Sequence, residues 1–229
     1  MTTQHWRVLT MLHWPVDPEA VRPLLPSGVS PDTHDGVTYV GLVAFVMDDV
    51  GLLRTPGVPY LGRFPETNVR LYSVDRHGRR GVVFRSLDAA RLLPVRIARA
   101  SLRLPYIWSR MSVVHGGDEV VYVCRRRWRG GDRSVQGHSR IRVRVGGPIP
   151  EPTPLEHFVT ARWALHAAWG GRTLYLPNTH PRWPLRRAEL VELDDTLIGA
   201  AGLAQPTDPP VSVLYSDGVP VRFGWPTAV

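Results

Sequence analysis

The stretch "FPETNVR" (Phe64–Arg70) leads into "ETNVRLYSVDRHGRRGVVFRSLDAA" (66–90), which reads as a β-hairpin. A strand is followed by a polar turn around His77-Gly78 and by a returning strand, "GVVFRSLDA". Side chains alternate along a strand, so Glu66, Asn68 and Arg70 share one face and Thr67 and Val69 the other. A carboxylate, an amide and a guanidinium in one row form either a solvated surface or the wall of a pocket. Two registers suit the hairpin. One sets Arg70 opposite Arg85, an unfavourable like-charge contact. The neighbouring one sets Asn68 opposite Ser86 and Glu66 opposite Asp88, which requires a protonated carboxyl or a cation such as Arg70 between the two acids.

On the N-terminal side, "VTYVGLVAFVMDDVGLL" (37–53) follows the turn signal "HDG" and is rich in β-branched residues. It predicts a long strand, buried on both faces over Val40–Val46. "WRVLTMLHW" (6–14) predicts a first strand. "DPEAVRPLLP" (17–26) predicts a short helix with Asp17 as N-cap and Pro18 at the first helical position. "RTPGVPYLGRFPE" (54–66) is a loop of a length that often carries function.

On the C-terminal side, "AARLLPVRIARASLR" (89–103) predicts a helix that kinks or starts late because of Pro94. Residues 104–145 predict a three-stranded meander with Gly-Gly turns. "TPLEHFVTARWALHAAW" (153–169) is the clearest helical pattern, with a Thr153/Glu156 capping box, Pro154 at the first position, and Arg162 within or beside the inward stripe. Strands are expected at 172–177, 185–193 and 211–223, a short helix at 194–203, and a final hairpin over 213–225. The whole, 1–229, reads as one α+β domain, mostly antiparallel β.

Apolar residues make up 43% of the 229-residue chain and charged residues 21%, a globular composition. No run of 18 apolar residues predicts a membrane span. His13, Asp17 and Glu19 interrupt the N-terminal segment, so no signal peptide is expected. Cys124 is the single cysteine, which excludes an intramolecular disulfide and makes the cytoplasm the expected location. The net charge is +8, and all 28 basic side chains other than histidine are arginine. With no lysine, no lysine imine can form. The densest basic stretches are "CRRRWRGGDR" (124–133) and "SRIRVRV" (139–145). In the second, Arg140, Arg142 and Arg144 alternate with apolar residues, which is the pattern of a solvated strand face rather than of a nucleic-acid interface. Neither nucleic acid nor membrane is expected as a partner.

Dinucleotide, P-loop and nucleophile-elbow motifs are absent, and the nine histidines form neither H-x-H nor H-E-x-x-H. No metal and no cofactor is implied. Cys124 lies in an apolar strand beside Arg125, a setting for packing. The candidate proton-handling groups are Glu66, Asp88 and Tyr106. Asn68, Arg70, Ser86, Arg162, His180 and Trp183 are the candidate ligand contacts, the last two in the Pro-rich "NTHPRWPL". An internal ion pair that organises the sheet is the competing reading of the Glu66–Arg70 row. The expected partner is a small molecule of unspecified identity, and self-association into a homo-oligomer is left open.

"HWPVDPEAVRPLLPSGV", "FPETNVRLY", "GVVFRSLDAARLLPVRIAR", "LPYIWSRM", "TPLEHFVTARWAL" and "HPRWPL" together resemble the YqjF-like proteins (domain of unknown function 2071), in order and over nearly the whole chain. That family is similar in fold to acetoacetate decarboxylase. The resemblance implies a partly closed antiparallel β-barrel or cone with a central cavity and a few packed helices. Acetoacetate decarboxylase works through a lysine imine, and its lysine follows a segment that "RLPY" (103–106) resembles. Pro105 would match the proline there and Tyr106 would stand where the lysine belongs. Glu66 would match that enzyme's glutamate. The resemblance therefore implies the fold without the imine reaction. It leaves lyase- or isomerase-like acid–base chemistry on a small carbonyl or carboxylate compound, or ligand binding without turnover.

Overall fold

The structure is a computed structural model that describes residues 2–52, 62–92, 103–127 and 136–229. In chain order its elements are β1 (Thr2–Val16), α1 (Pro18–Val21, continued by a 3-10 turn over Arg22–Leu24), β2 (Val29–Pro31), β3 (Thr38–Leu52), β4 (Phe64–Asp75), β5 (Arg80–Ala89), β6 (Tyr106–Gly116), β7 (Glu119–Arg126) and β8 (His138–Pro148). Then come α2 (Pro154–Thr160), β9 (Ala164–Trp169), β10 (Arg172–Thr179), β11 (Leu185–Asp195), α3 (Leu197–Ala200), β12 (Ser212–Phe223) and β13 (Thr227–Ala228). Most of the expected 54–66 loop and of the 89–103 helix lies outside the described residues.

The sheet runs β13-β10-β9-β5-β6-β7-β8-β11-β12-β1-β3-β4-β2, and the further pairings β4–β5 and β10–β12 bring it back on itself. Closure is partial. β5 meets β6 only through Leu87–Ala89 against Tyr106–Trp108, and meets β9 only at Val82 and Leu165, both in parallel. The long pairings of β1 with β3 and β12, and of β4 with β3 and β5, are antiparallel. This is the mostly antiparallel, partly closed barrel with a few helices that the resemblance implies.

The central strands run between two cores. Leu12, Val40, Leu42, Val69 and Leu71 pack with β7, β8 and α3 on one side. Met11, Val43, Phe45 and Tyr72 pack with α2 and β9 on the other. This two-sided burial explains the unbroken apolar run Val40–Val46, all of which is buried. The cap signals also hold. Asp17 accepts from the Glu19 amide at 2.9 Å. At α2, Thr153 Oγ1 accepts from the Glu156 amide and Glu156 Oε2 from the Thr153 amide.

Two expectations are overturned. The helix expected over 153–169 stops at Thr160, and Ala164–Trp169 is a strand. Gly170 and Gly171 both have positive φ and form the two-residue turn that pairs Trp169 with Arg172, so ladder bonds to β10 replace helical ones. The hairpin expected over 213–225 is instead one continuous strand, β12. Its turn-like "SDG" serves a close approach: Gly218 has a φ of 124°, and a Cβ there would lie 1.9 Å from Trp6 O.

Gly218→Ala is therefore expected to lower stability by about 2–4 kcal/mol through backbone strain and displacement of β1. Chemical denaturation, read as a lower midpoint at unchanged m-value, checks it.

Candidate functional site

The β4–β5 hairpin uses both registers, one on each side of a bulge. Glu66 pairs with Ala89, Thr67 with Asp88, Asn68 with Leu87 and Val69 with Ser86; then Arg70 pairs with Phe84 and Tyr72 with Val82. The residue left over is Arg85. Bulging it removes the Arg70–Arg85 repulsion that a straight ladder would create. Its guanidinium turns to the carbonyls of Leu24 and Ala201. The expected Asn68–Ser86 and Glu66–Asp88 pairs do not form.

This register separates the candidate residues by face. Glu66, Asn68, Arg70 and Tyr72 point to the core that contains Phe45 and Phe158. Ser86 and Asp88 point to the opposite core. There Asp88 accepts from Ser109 Oγ at 2.7 Å and takes both arms of Arg126, at 2.9 and 3.0 Å. This fully buried, bidentate pair ties β5 to β6 and β7. Ser86 Oγ is buried without a partner.

On the Glu66 face, Tyr106 Oη donates to Glu66 Oε2 at 3.2 Å, and Asn68 bonds the same carboxyl. Two of the candidate proton-handling residues, Glu66 and Tyr106, thus meet. Burial pushes the Glu66 carboxyl up to about 8, against the pull of those two bonds. Burial, then the neighbouring carboxylate, raises Tyr106 well above the usual phenol. At neutral pH both groups keep their protons.

Arg70 lies four residues along the same strand. It does not pair with Glu66, and among the described residues no carboxylate lies within salt-bridge distance of it. Its Nη2 reaches Met11 Sδ at 3.6 Å and Val159 O at 3.4 Å, and its Nε is buried without a partner. The space for it comes from Gly41 on β3, where a Cβ would stand 3.2 Å from Arg70 Cγ and 3.3 Å from His13 Cδ2. Tyr72 Oη donates to Val159 O at 3.0 Å and stands 2.7 Å from His13 Nε2. The phenol proton being spent on the carbonyl, His13 Nε2 carries the hydrogen of that second bond. Burial, then Arg70 and Arg162, hold His13 well below the usual imidazole value, hence neutral.

Arg162 follows the C-terminus of α2. Its Nε donates to Phe158 O at 3.0 Å and its Nη1 to Asp32, while Nη2 is buried without a partner. Burial brings it down to about 10 despite Asp32. Arg70, Tyr72 and Arg162 thus occupy the last carbonyls of α2, which carry partial negative charge.

A cavity of about 20 Å³ lies beside these groups, walled by Arg70, Arg162, Asn178, His180, Trp6 and Trp183. Asn178 Oδ1 is buried there without a partner. The cavity collects four of the expected residues: Arg70, Arg162, His180 and Trp183. Glu66, further along β4, and Tyr106, at the start of β6, do not line it. Tyr72, His13, Trp6 and Asn178 were not expected. Tyr72 was open to sequence reasoning as the next residue of the Glu66–Asn68–Arg70 row. His13 was not, because only the β1–β3–β4 pairing brings it there. Ser73, His166 and Asp75 also stand in a row, at 2.8 and 3.8 Å, but all three are buried and line no cavity described. Among the described residues no three His, Cys, Asp or Glu side chains gather as a metal site.

Two outcomes are expected. Asp88→Asn leaves the Arg126 guanidinium buried and unpaired, a loss of about 3–5 kcal/mol in stability. Between the ordinary carboxyl value and about 8, folded Glu66 holds a proton that the unfolded chain has released, so stability falls as pH rises through that window. Glu66→Gln removes this slope, and its melting temperature relative to the unmodified chain should increase from pH 5 to pH 9, read by thermal unfolding across buffers.

Comparison with known proteins fits this picture. The family described as uncharacterized conserved protein, DUF2071, matches residues 3–220. The uncharacterized protein YqjF of Bacillus subtilis (strain 168) is 30% identical over 223 residues, 97% of this chain and 90% of YqjF. An acetoacetate decarboxylase-like enzyme from Sphingomonas wittichii RW1 superposes with a TM-score of 0.66 at 13% identity, covering 100% of this chain and 92% of that one. The enduracididine biosynthesis enzyme MppR, complexed with pyruvate, gives a TM-score of 0.65 at 13% identity, covering 100% and 90%. At such identities the two structures speak for the fold alone. The chain belongs to the DUF2071 family of uncharacterized conserved proteins, on the acetoacetate decarboxylase-like fold.

Proposed function

We propose that this protein binds a small organic acid, a carboxylate or carbonyl-bearing compound, with Arg70 and Arg162 holding its negative charge and Glu66 with Tyr106 exchanging a proton with it. The observation that carries the reading is Arg70: a buried guanidinium with no carboxylate partner among the described residues, beside a cavity. A buried cation is costly unless paired, and an anionic ligand supplies the missing pair. The Glu66 carboxyl on the same strand face does not supply it, because burial keeps it neutral.

A strand rises about 3.3 Å per residue, which sets the Cα atoms of residues 66 and 70 about 13 Å apart. The two long side chains shorten that span, and Asn68 stands between them. A protonated Glu66 is a general acid near neutral pH and a base once its proton has left. Lyase- or isomerase-like proton transfer next to a carbonyl is chemistry of this kind. A lysine imine is not available, since the chain has no lysine. MppR, whose structure contains pyruvate, offers a keto acid in the same fold. The cytoplasm is the proposed location, in keeping with one buried thiol, and no described helix is long and apolar enough to cross a membrane.

A second reading, binding without turnover, rests on the position of Glu66 and Tyr106 outside the lining of the Arg70 cavity. A panel of keto acids and simple carboxylates, followed by thermal shift and by product formation, separates the two. Arg70→Met should weaken binding of every acid in the panel about 10- to 100-fold, the worth of a charge-assisted bond. Glu66→Gln should abolish product and spare the thermal shift. A shift without product at saturating acid would leave only the binding reading.

A further inference from the structure

The cavity at Arg70 is small. About 20 Å³ accommodates roughly one water molecule, less than a carboxylate with its attached carbons. A second, far larger space lies against it: a groove of about 920 Å³ between β2, α2 and the segment that leads into β11. Thr160 and Trp183 line both. Thr160 and Trp183 therefore stand where the two spaces meet. The Trp183 indole is half-buried, stacks on Trp6 at 6.0 Å and leans on His180 at 4.9 Å.

The groove has an apolar wall of Ile149, Pro150, Phe158, Trp163 and Leu185. Asp32, which lines it, is paired with Arg80 and Arg162, while the exposed side chains of Glu151 and Arg182 add one charge of each sign to the lining. Trp163 is 38% exposed and lies nearly parallel to the His180 ring at 5.7 Å, leaving its indole open toward the groove. An exposed indole beside the apolar wall of a concavity this large suits a flat hydrocarbon body.

Resting on the reading of Arg70 and Arg162 as the anion seat, we infer that the ligand is an amphipathic acid. Its carboxylate lies against the arginines past Trp183, and an aromatic or comparable hydrocarbon body occupies the groove against Trp163. The ligand class is then an aryl or branched-chain acid rather than one the size of pyruvate.

Calorimetric titration of pyruvate, phenylpyruvate and phenylacetone (the same ring without the carboxylate) tests this, at one pH and ionic strength. Phenylpyruvate should bind at least about tenfold tighter than pyruvate, the worth of burying part of a ring. Trp163→Ala should erase most of that ratio and leave pyruvate unchanged, with Trp163→Phe intermediate. Because Trp163 also contacts His180, unchanged pyruvate affinity and melting temperature show that its loss is local. Phenylacetone should bind weakly and respond to Trp163→Ala but not to Arg70→Met. Equal affinities for the two acids, or a ratio untouched by Trp163→Ala, would overturn the groove assignment while leaving the anion seat standing. If Arg70→Met leaves both acids bound as before, the anion seat fails, and the ratio still reports on the groove. Binding of neither acid overturns both.

Discussion

Burial of the central strands on both faces is the constraint from which the rest of this structure follows. Over residues 9–14 of β1, 38–47 of β3 and 66–73 of β4 the chain runs between two apolar cores, so a polar side chain there has no solvent to turn to. It must be neutralised, paired or given a ligand. Each outcome occurs on these strands or against them. Glu66 keeps its proton, His13 stays neutral, and Arg162 takes Asp32. Arg70 obtains a carbonyl, a thioether and an aromatic neighbour, and no anion among the described residues.

The bulge at Arg85 divides the work between the two faces of one hairpin. On one face the Asp88–Arg126 pair is bidentate, buried and complete, which is what an element that ties strands together requires. On the other, the polar row from Glu66 to Tyr72 is incomplete, with buried nitrogen and oxygen atoms left over at Asn68, Arg70 and His13. Incomplete networks are costly in a purely structural core. The proposed anion seat lies on that second face.

Outer strand faces follow a different rule, because they are wet. Arg140, Arg142 and Arg144 meet Glu192, Glu119 and Glu189 across β7, β8 and β11. These exposed pairs are individually worth little, but they offset the positive charge of that face and keep the strand in register.

The sequence by itself determined the alternation that sets Glu66, Asn68 and Arg70 in a row, the two-sided burial of Val40–Val46 and both N-caps. It also determined the impossibility of a lysine imine. These rest on neighbours a few residues apart, whose geometry is local. The strand after α2 was legible only through Gly170-Gly171, a hairpin signal that the helical pattern before it obscured. Only the tertiary structure decided that Asp88 turns away from Glu66, since one bulged residue reverses every later side chain. It alone brought His13, 57 positions before Arg70 in the chain, to the same space through two strand pairings. The carbonyls of α2, which hold Arg70, Tyr72 and Arg162 in place, likewise come from a distant segment. Contacts of that range depend on register and closure, which no local pattern of residue types encodes.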